Sequence, residues 1–221
     1  MHRPLSSTDR VFGDCLDYLS RLLAPWEPYT LYHCKRVSAT AALLAMHLGL
    51  CEREVKAVQV AGYLHDIGKV GISREVLNRP AKLDAVTYEE VKKHPEIGAR
   101  ILSAVPWPWD LVPAVRYHHE KWDGSGYPVG LKGNQIPLSA QIVSIADFFD
   151  SLTTNRPFRA ALCPRTALSM MQGLVGRSFC PELWSMFEAM IEDLIRAVPP
   201  ADPVNRVDKV EYPDSGAWNV L

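Results

Sequence analysis

The sequence has no long apolar run, no excess of one charge and no pattern of paired cysteines. Its longest nearly apolar stretch, Ala39 to Leu50, is interrupted by His47. That is too short for a bilayer, which needs about 20 apolar residues. The N-terminus, MHRPLSSTDR, has no apolar run of the signal-peptide kind. Lys and Arg number 24 against 25 Asp and Glu, so a broad DNA-binding surface is not expected. That balance leaves room for one small anion in a pocket. The cysteines Cys15, Cys34, Cys51, Cys163 and Cys180 form no CxxC and are odd in number. A disulfide framework is therefore not expected, and a reducing cytoplasm fits. Each cysteine reads best as a small buried apolar side chain. Strand signals are nearly absent, and there is no internal repeat or low-complexity tract.

What remains is a chain of 221 residues, 48% hydrophobic and 22% charged, as in an ordinary globular domain. Residues 9–24 show helical spacing through Phe12, Cys15, Leu19 and Leu22, ended by Ala24-Pro25-Trp26-Glu27-Pro28. A second helix is expected over 29–48, with His33, Val37, Ala41, Leu44 and Leu48 on one face and Gly49 as the stop. A third runs over 52–66 through Val55, Val58, Ala61 and His65. Thr87-x-x-Glu90 matches a capping box, and Val91, His94 and Ile101 continue at helical spacing. Pro95 demands either a kink or a new start at His94. Further helices are expected over 110–119, 138–152 and 181–198, with a Gly- and Pro-rich loop over 120–137. The expected fold is all-α, a single domain of about eight helices. Residues 1–28 are read as an N-terminal helix and connector, 29–198 as the catalytic domain, and 199–221 as a flexible Pro-rich tail.

The seven histidines fall at positions 2, 33, 47, 65, 94, 118 and 119. Any one alone is better explained as a core or surface residue. Five of them point inward or end a helix, and several buried imidazoles are costly without partners. A metal ion partners all of them at once. His65-Asp66 is central: adjacent helical residues point about 100° apart, so an imidazole and a carboxylate can reach one cation, and a carboxylate can bridge two. Asp147, in IADFFD, could close the same site. Mixed nitrogen and oxygen donors suit Fe, Mn, Zn or Ni and disfavour Mg or Ca.

Five segments then carry a resemblance: YTLYHCKRV (29–37), LHDIGKVGI (64–72), HPEIGARIL (94–102), HHEKWDGSGYP (118–128) and IADFFDSLTTNRPFR (145–159). Together they resemble the HD-GYP family of HD-domain metal phosphohydrolases, over about residues 29–190. The resemblance implies an all-α bacterial phosphodiesterase that opens cyclic di-GMP to pGpG, and often onward to GMP. It implies metal ligands at His33, His65, Asp66, His94, His118, His119 and Asp147. His2 and His47 match no motif; His47 is expected to be partly buried and His2 mobile. Some family members carry a Glu four residues before the first ligand histidine, associated with a third metal. Here that position is Tyr29, a poor ligand at neutral pH, and Glu27 has the wrong spacing. Two divalent transition metals are therefore expected, Fe or Mn first, with Zn or Ni as alternatives.

A phosphodiester needs a nucleophile, neutralised nonbridging oxygens and a stabilised leaving oxygen, and two metals acting through a bridging hydroxide meet all three needs. Asp66 is the expected bridge, with His33, His65 and Asp147 around one ion and His94, His118 and His119 around the other. Lys69, one turn after Asp66, is expected beside the scissile phosphate. Arg156 and Arg159 suit a second phosphate or a guanine edge, though ordinary surface charge explains them equally well. Tyr127 can stack on a base or merely pack the loop; Asp123 and Gly126 read as structural, and Trp122, Trp107 and Trp109 as packing. The resemblance also links the GYP loop to substrate specificity or to diguanylate cyclase partners. The N-terminal helix, in 28 residues too few for a domain, is expected to pack on the core or to serve as a remnant connector or dimer handle. Two rival functions are an HD hydrolase acting on another nucleotide, such as cyclic GMP-AMP, and a silent cyclic di-GMP sensor.

Overall fold

The computed structural model describes residues 30–77, 84–155 and 159–197. The expected helix over 9–24, the tail over 199–221, and Tyr29, His2, Cys15 and Arg156 lie outside the described residues. The described chain is helical, with only an isolated bridge between Val175 and Phe179. No described helix is long and apolar enough to cross a membrane.

The first helix, α1, spans Thr30–His47. It stops as the sequence predicts: Gly49 takes φ +72°, Leu50 N donates to Ala45 O at 3.1 Å, and Gly49 N donates to Met46 O at 2.9 Å. This is a Schellman closure, which favours glycine because the backbone is left-handed there. The tight turn sends α2 (Glu52–Leu64) back along α1. Glu54 Oε2 accepts from Cys51 N at its start. Gly62 faces Ser38, where a Cβ would stand 3.2 Å from the Ser38 Cα, so the two helices pack closely.

The expected helix over 52–66 ends early. His65 is the cap of α2, and Asp66 starts a 3-10 turn over Ile67–Gly71. The two functional groups thus sit at a helix end rather than within a helix. Because 3-10 geometry repeats every three residues, Lys69 stands over Asp66, its Nζ 2.8 Å from Oδ2. A single helical turn follows at Arg74–Leu77.

One further expectation is corrected at α3 (Ala85–Val91). Its N-cap is Asp84, whose side chain accepts from Thr87 N at 2.8 Å. Asp84 therefore caps the helix, and Thr87 lies inside it rather than capping it. At Pro95 the chain starts a new helix, α4 (His94–Ser103). Proline costs nothing in a first turn, where its missing N–H would have no partner.

Next come α5 (Val112–Tyr117), a loop holding a 3-10 turn at Gly133–Gln135, and α6 (Leu138–Thr153). Two more helices, α7 (Pro164–Gln172) and α8 (Pro181–Ala197), complete the described chain. Helix α7 went unread in the sequence. Helix α6 runs through the middle, burying Ile142, Val143, Ile145, Ala146 and Phe149 against its neighbours. Phe149 meets Phe187 of α8 edge to face, with centroids 5.4 Å apart. Trp107 and Trp109 pack on this core as expected.

Of the four described cysteines only Cys34 is buried; Cys51 and Cys163 are exposed and Cys180 is intermediate. The expectation of burial fails for both exposed residues because they precede helices at surface turns. His47 is exposed, not partly buried, with Nδ1 against Leu43 O at 3.0 Å. It lies at the solvent end of α1, beyond the reach of the core.

Candidate metal centre

Helix ends converge on one point. His33 comes from the first turn of α1, His65 and Asp66 from the end of α2, and His94 from the start of α4. His118 and His119 follow α5, and Asp147 projects from α6. The rings form a row, with centroids 5.2 Å apart for His33–His65, 5.1 Å for His65–His118, 5.3 Å for His94–His118 and 4.0 Å for His118–His119. Two groups have donor atoms within 4.8 Å of one another: His33, His65 and Asp66, and His94, His118 and His119.

Asp66 joins the groups. Its Oδ1 lies 3.3 Å from His94 Nε2; its Oδ2 lies 3.4 Å from His65 Nε2 and 4.0 Å from His33 Nε2. Asp147 Oδ1 lies 3.2 Å from His33 Nε2 and 3.9 Å from His65 Nε2, completing the first group. The seven expected ligand positions are thus brought together.

The imidazoles are aimed by the backbone. Nδ1 of His65, His94 and His118 each lies 2.8 Å from the carbonyl oxygen three residues earlier, on Gly62, Val91 and Val115. A carbonyl only accepts, so each Nδ1 carries the proton and each Nε2 presents a lone pair inward. His33 is aimed differently: Nδ1 lies 2.7 Å from Asp150 Oδ2, and Arg36 Nε donates to Asp150 Oδ1 at 2.6 Å. Such outer hydrogen bonds orient metal-binding histidines.

These residues fit divalent transition ions. His65 Nε2 is buried with no hydrogen-bond partner, and His94 Nε2 faces His118 Nε2 at 3.3 Å. Two lone pairs that face each other, and an orphaned third, are unfavourable in a buried core. A cation between them removes the penalty.

Burial opposes charge on His33, but Asp147 and Asp150 overcome it and raise its pKa to about 9. Burial and the neighbouring imidazoles do the reverse elsewhere: His118 is held well below the ordinary histidine value, and His119 falls to about 3. Burial would raise Asp66, but Lys69, His65, His94 and His33 outweigh it and hold the carboxyl well below its ordinary value.

A cavity of about 450 Å³ opens over the clusters. Lys69, Tyr127 and Arg159 line it. The Tyr127 ring lies on His119, centroids 4.8 Å apart and 30° between planes. The Arg159 guanidinium donates to the carbonyls of Ser151 and Leu152 at the end of α6. Asp123 holds the loop through Ser125 N at 2.9 Å, and Gly126 leaves no room for a Cβ.

Three residues escaped the sequence reading: Asp150, Arg36 and Glu120. Asp150 had one signal, its place one turn after Asp147 on the same helix. Arg36 had the same spacing from His33. Glu120, buried at 2% exposure, had only its position beside His119.

This chain belongs to the HD domain family, whose pattern it matches over residues 17–183, and its motifs place it in the HD-GYP subgroup. It is 40% identical over 170 residues to the cyclic di-GMP phosphodiesterase response regulator RpfG of Xanthomonas campestris, covering 76% of this chain and 45% of that protein. It is 37% identical to a cyclic di-GMP phosphodiesterase of Thermotoga maritima, covering 83% and 51%. It is 34% identical to 3'3'-cGAMP-specific phosphodiesterase 3 of Vibrio cholerae, covering 83% and 40%. The chain thus spans about half the length of these relatives. The crystal structure of a cyclic GMP-AMP specific phosphodiesterase of V. cholerae shares the fold, with a TM-score of 0.61 at 18% identity, over 90% of this chain and 54% of that one.

Proposed function

We propose that this chain is a metal-dependent phosphodiesterase that hydrolyses cyclic di-GMP to pGpG, with GMP as the product of any second cleavage. The observation that carries the proposal is Asp66, whose two oxygens face different histidine clusters beneath one cavity. His33, His65, Asp66 and Asp147 would hold one ion, and His94, His118 and His119 the other beside Asp66. Two divalent transition ions, Fe or Mn before Zn or Ni, would supply an activated water and a clamp on the phosphate.

The chain's own residues do the rest. The fixed Nδ1 protons keep each Nε2 free for a cation. Lys69 sets an ammonium 2.8 Å from Asp66, beside the place a phosphodiester must occupy to meet both clusters. A positive charge there stabilises the leaving oxygen. Tyr127 and Arg159 form the wall that a nucleotide meets; Arg156, three positions before Arg159 in the sequence, is assigned to the same substrate on its guanidinium chemistry alone. The catalytic unit is residues 29–198.

The test is hydrolysis by anaerobically purified protein loaded with Fe(II) or Mn(II), following pGpG and GMP by chromatography. Metal-dependent turnover supports the proposal. The relatives named for 3'3'-cGAMP favour a second substrate, so cyclic GMP-AMP belongs in the same assay. Faster turnover of it would move the specificity there. Tight binding of cyclic di-GMP by metal-loaded protein without hydrolysis would make the chain a sensor.

A further inference from the structure

The loop after α5 holds a buried carboxylate that neither ion cluster uses. Glu120 accepts four hydrogen bonds from three successive backbone amides: Val129 N at 2.8 Å, Gly130 N at 3.1 and 3.0 Å, and Leu131 N at 3.0 Å. Amides converging on a carboxylate give strong charge-assisted bonds. They tie the end of the loop to its beginning.

Between those points the loop has little freedom. Tyr127 N donates to His119 O at 3.2 Å, and Gly124 N to Lys121 O at 2.8 Å. A Cβ on Gly126 would stand 2.3 Å from Lys121 N and 2.5 Å from the Glu120 Cα, so only glycine lets the loop fold back this closely. Closed this way, the loop lays the Tyr127 ring on His119.

His119 needs that support. The rings of His65, His94 and His118 are each held by a carbonyl three residues earlier. Among the described residues His119 has no such bond. It is also only half-buried, and ring contacts alone restrain it: His118 at 4.0 Å, His94 at 5.0 Å and the stacked Tyr127 at 4.8 Å, the last being the one the loop supplies.

We propose that Glu120 is a positioning residue for the three-histidine cation site: it anchors the loop whose Tyr127 fixes the His119 imidazole. This inference rests on the two-ion reading above. It gives the GYP loop a role in loading one particular ion, separate from any contact with substrate.

The test uses the full chain as wild type, Glu120→Gln, Tyr127→Leu and Tyr127→Phe, loaded anaerobically with Mn(II). Metal per chain is measured by mass spectrometry across a chelator series, with electron paramagnetic resonance to separate coupled from isolated Mn(II). Glu120→Gln and Tyr127→Leu are expected to weaken one ion by about 10- to 100-fold, leaving the other as in wild type, and to replace the coupled signal by an isolated one. Tyr127→Phe keeps the ring and is expected to keep both ions. If Glu120→Gln does not fold, Tyr127→Leu carries the test, because its anchor is intact. Two ions held at wild-type affinity in Tyr127→Leu, or in folded Glu120→Gln, would overturn the inference alone. A wild type that takes up only one ion would sink the two-ion reading, and this inference with it.

Discussion

His33 and His118 belong to one row of imidazoles, but their surroundings treat a proton in opposite ways. His33 lies between two carboxylates, Asp147 and Asp150, which raise its pKa to about 9 against the cost of burial. His118 lies among imidazoles in a dry core, where burial and then His119, His65 and His94 push its pKa well down. One half of the centre therefore holds a proton where a cation would go. The other half is already neutral, with lone pairs facing each other. The same residue type serves both; the two carboxylates beside His33, and burial among imidazoles at His118, make the difference.

The largest expected effect comes from breaking the link between the halves. Asp66→Ala should lose activity about a thousand-fold or more, since bound metal ions contribute several kcal/mol to the barrier. Both ions should weaken together. Full turnover in this variant would refute a shared carboxylate.

Asp150→Asn sharpens the comparison by touching one half only. It weakens the hold on His33 and leaves His118 alone. About a 10- to 100-fold loss of affinity is expected for one ion, with the second unchanged, as read by metal content against chelator. Equal weakening of both ions would show that the halves are not independent.

Protons separate the halves further. A histidine with a raised folded-state pKa adds stability that is fully present below its unfolded pKa and is lost as pH rises. For His33 the window runs from about 6.5 to about 9. A histidine with a lowered pKa costs stability as pH falls below about 6.5, and His119 and His118 are of this kind. Metal-free His33→Gln should therefore flatten the alkaline side of the urea stability profile. His119→Gln should flatten the acid side. In the same way, metal uptake by the His33 half should strengthen from pH 7 to pH 9, while uptake by the three-histidine half should stay level; calorimetry in buffers of different ionisation heat would read the released proton.

The smallest effect lies at the cavity wall. Arg159→Ala removes two bonds to the end of α6 and should cost about 1 to 2 kcal/mol of stability. As a wall residue it should also raise KM a few-fold. An unchanged KM would make Arg159 a helix cap only.

Much of this centre was readable in advance, for a physical reason. Imidazole and carboxylate are the side chains that bind such ions, and five motifs carry them at recognisable spacings. The helices were readable where apolar periodicity is strong, as in α1, α6 and α8. The failures share a cause. The end of α2 at Leu64 and the cap of α3 at Asp84 are both boundaries, set by caps and turns rather than by periodicity. Helix α7 is short, buries only Ala167, Leu168 and Met171, and offers little pattern.

The sequence by itself determined which donors are present and that the chain is helical. Donor chemistry and helical period are properties of single residues and near neighbours. Only the tertiary structure decided how each donor is held. Asp150 meets His33 across 117 positions and Arg36 across 114, and Glu120 closes its loop through backbone amides that any residue but proline could supply. Local spacing sets Asp150 one turn after Asp147 and Arg36 one turn after His33, but it does not say which groups they meet. Those contacts exist only once packing has brought the segments together.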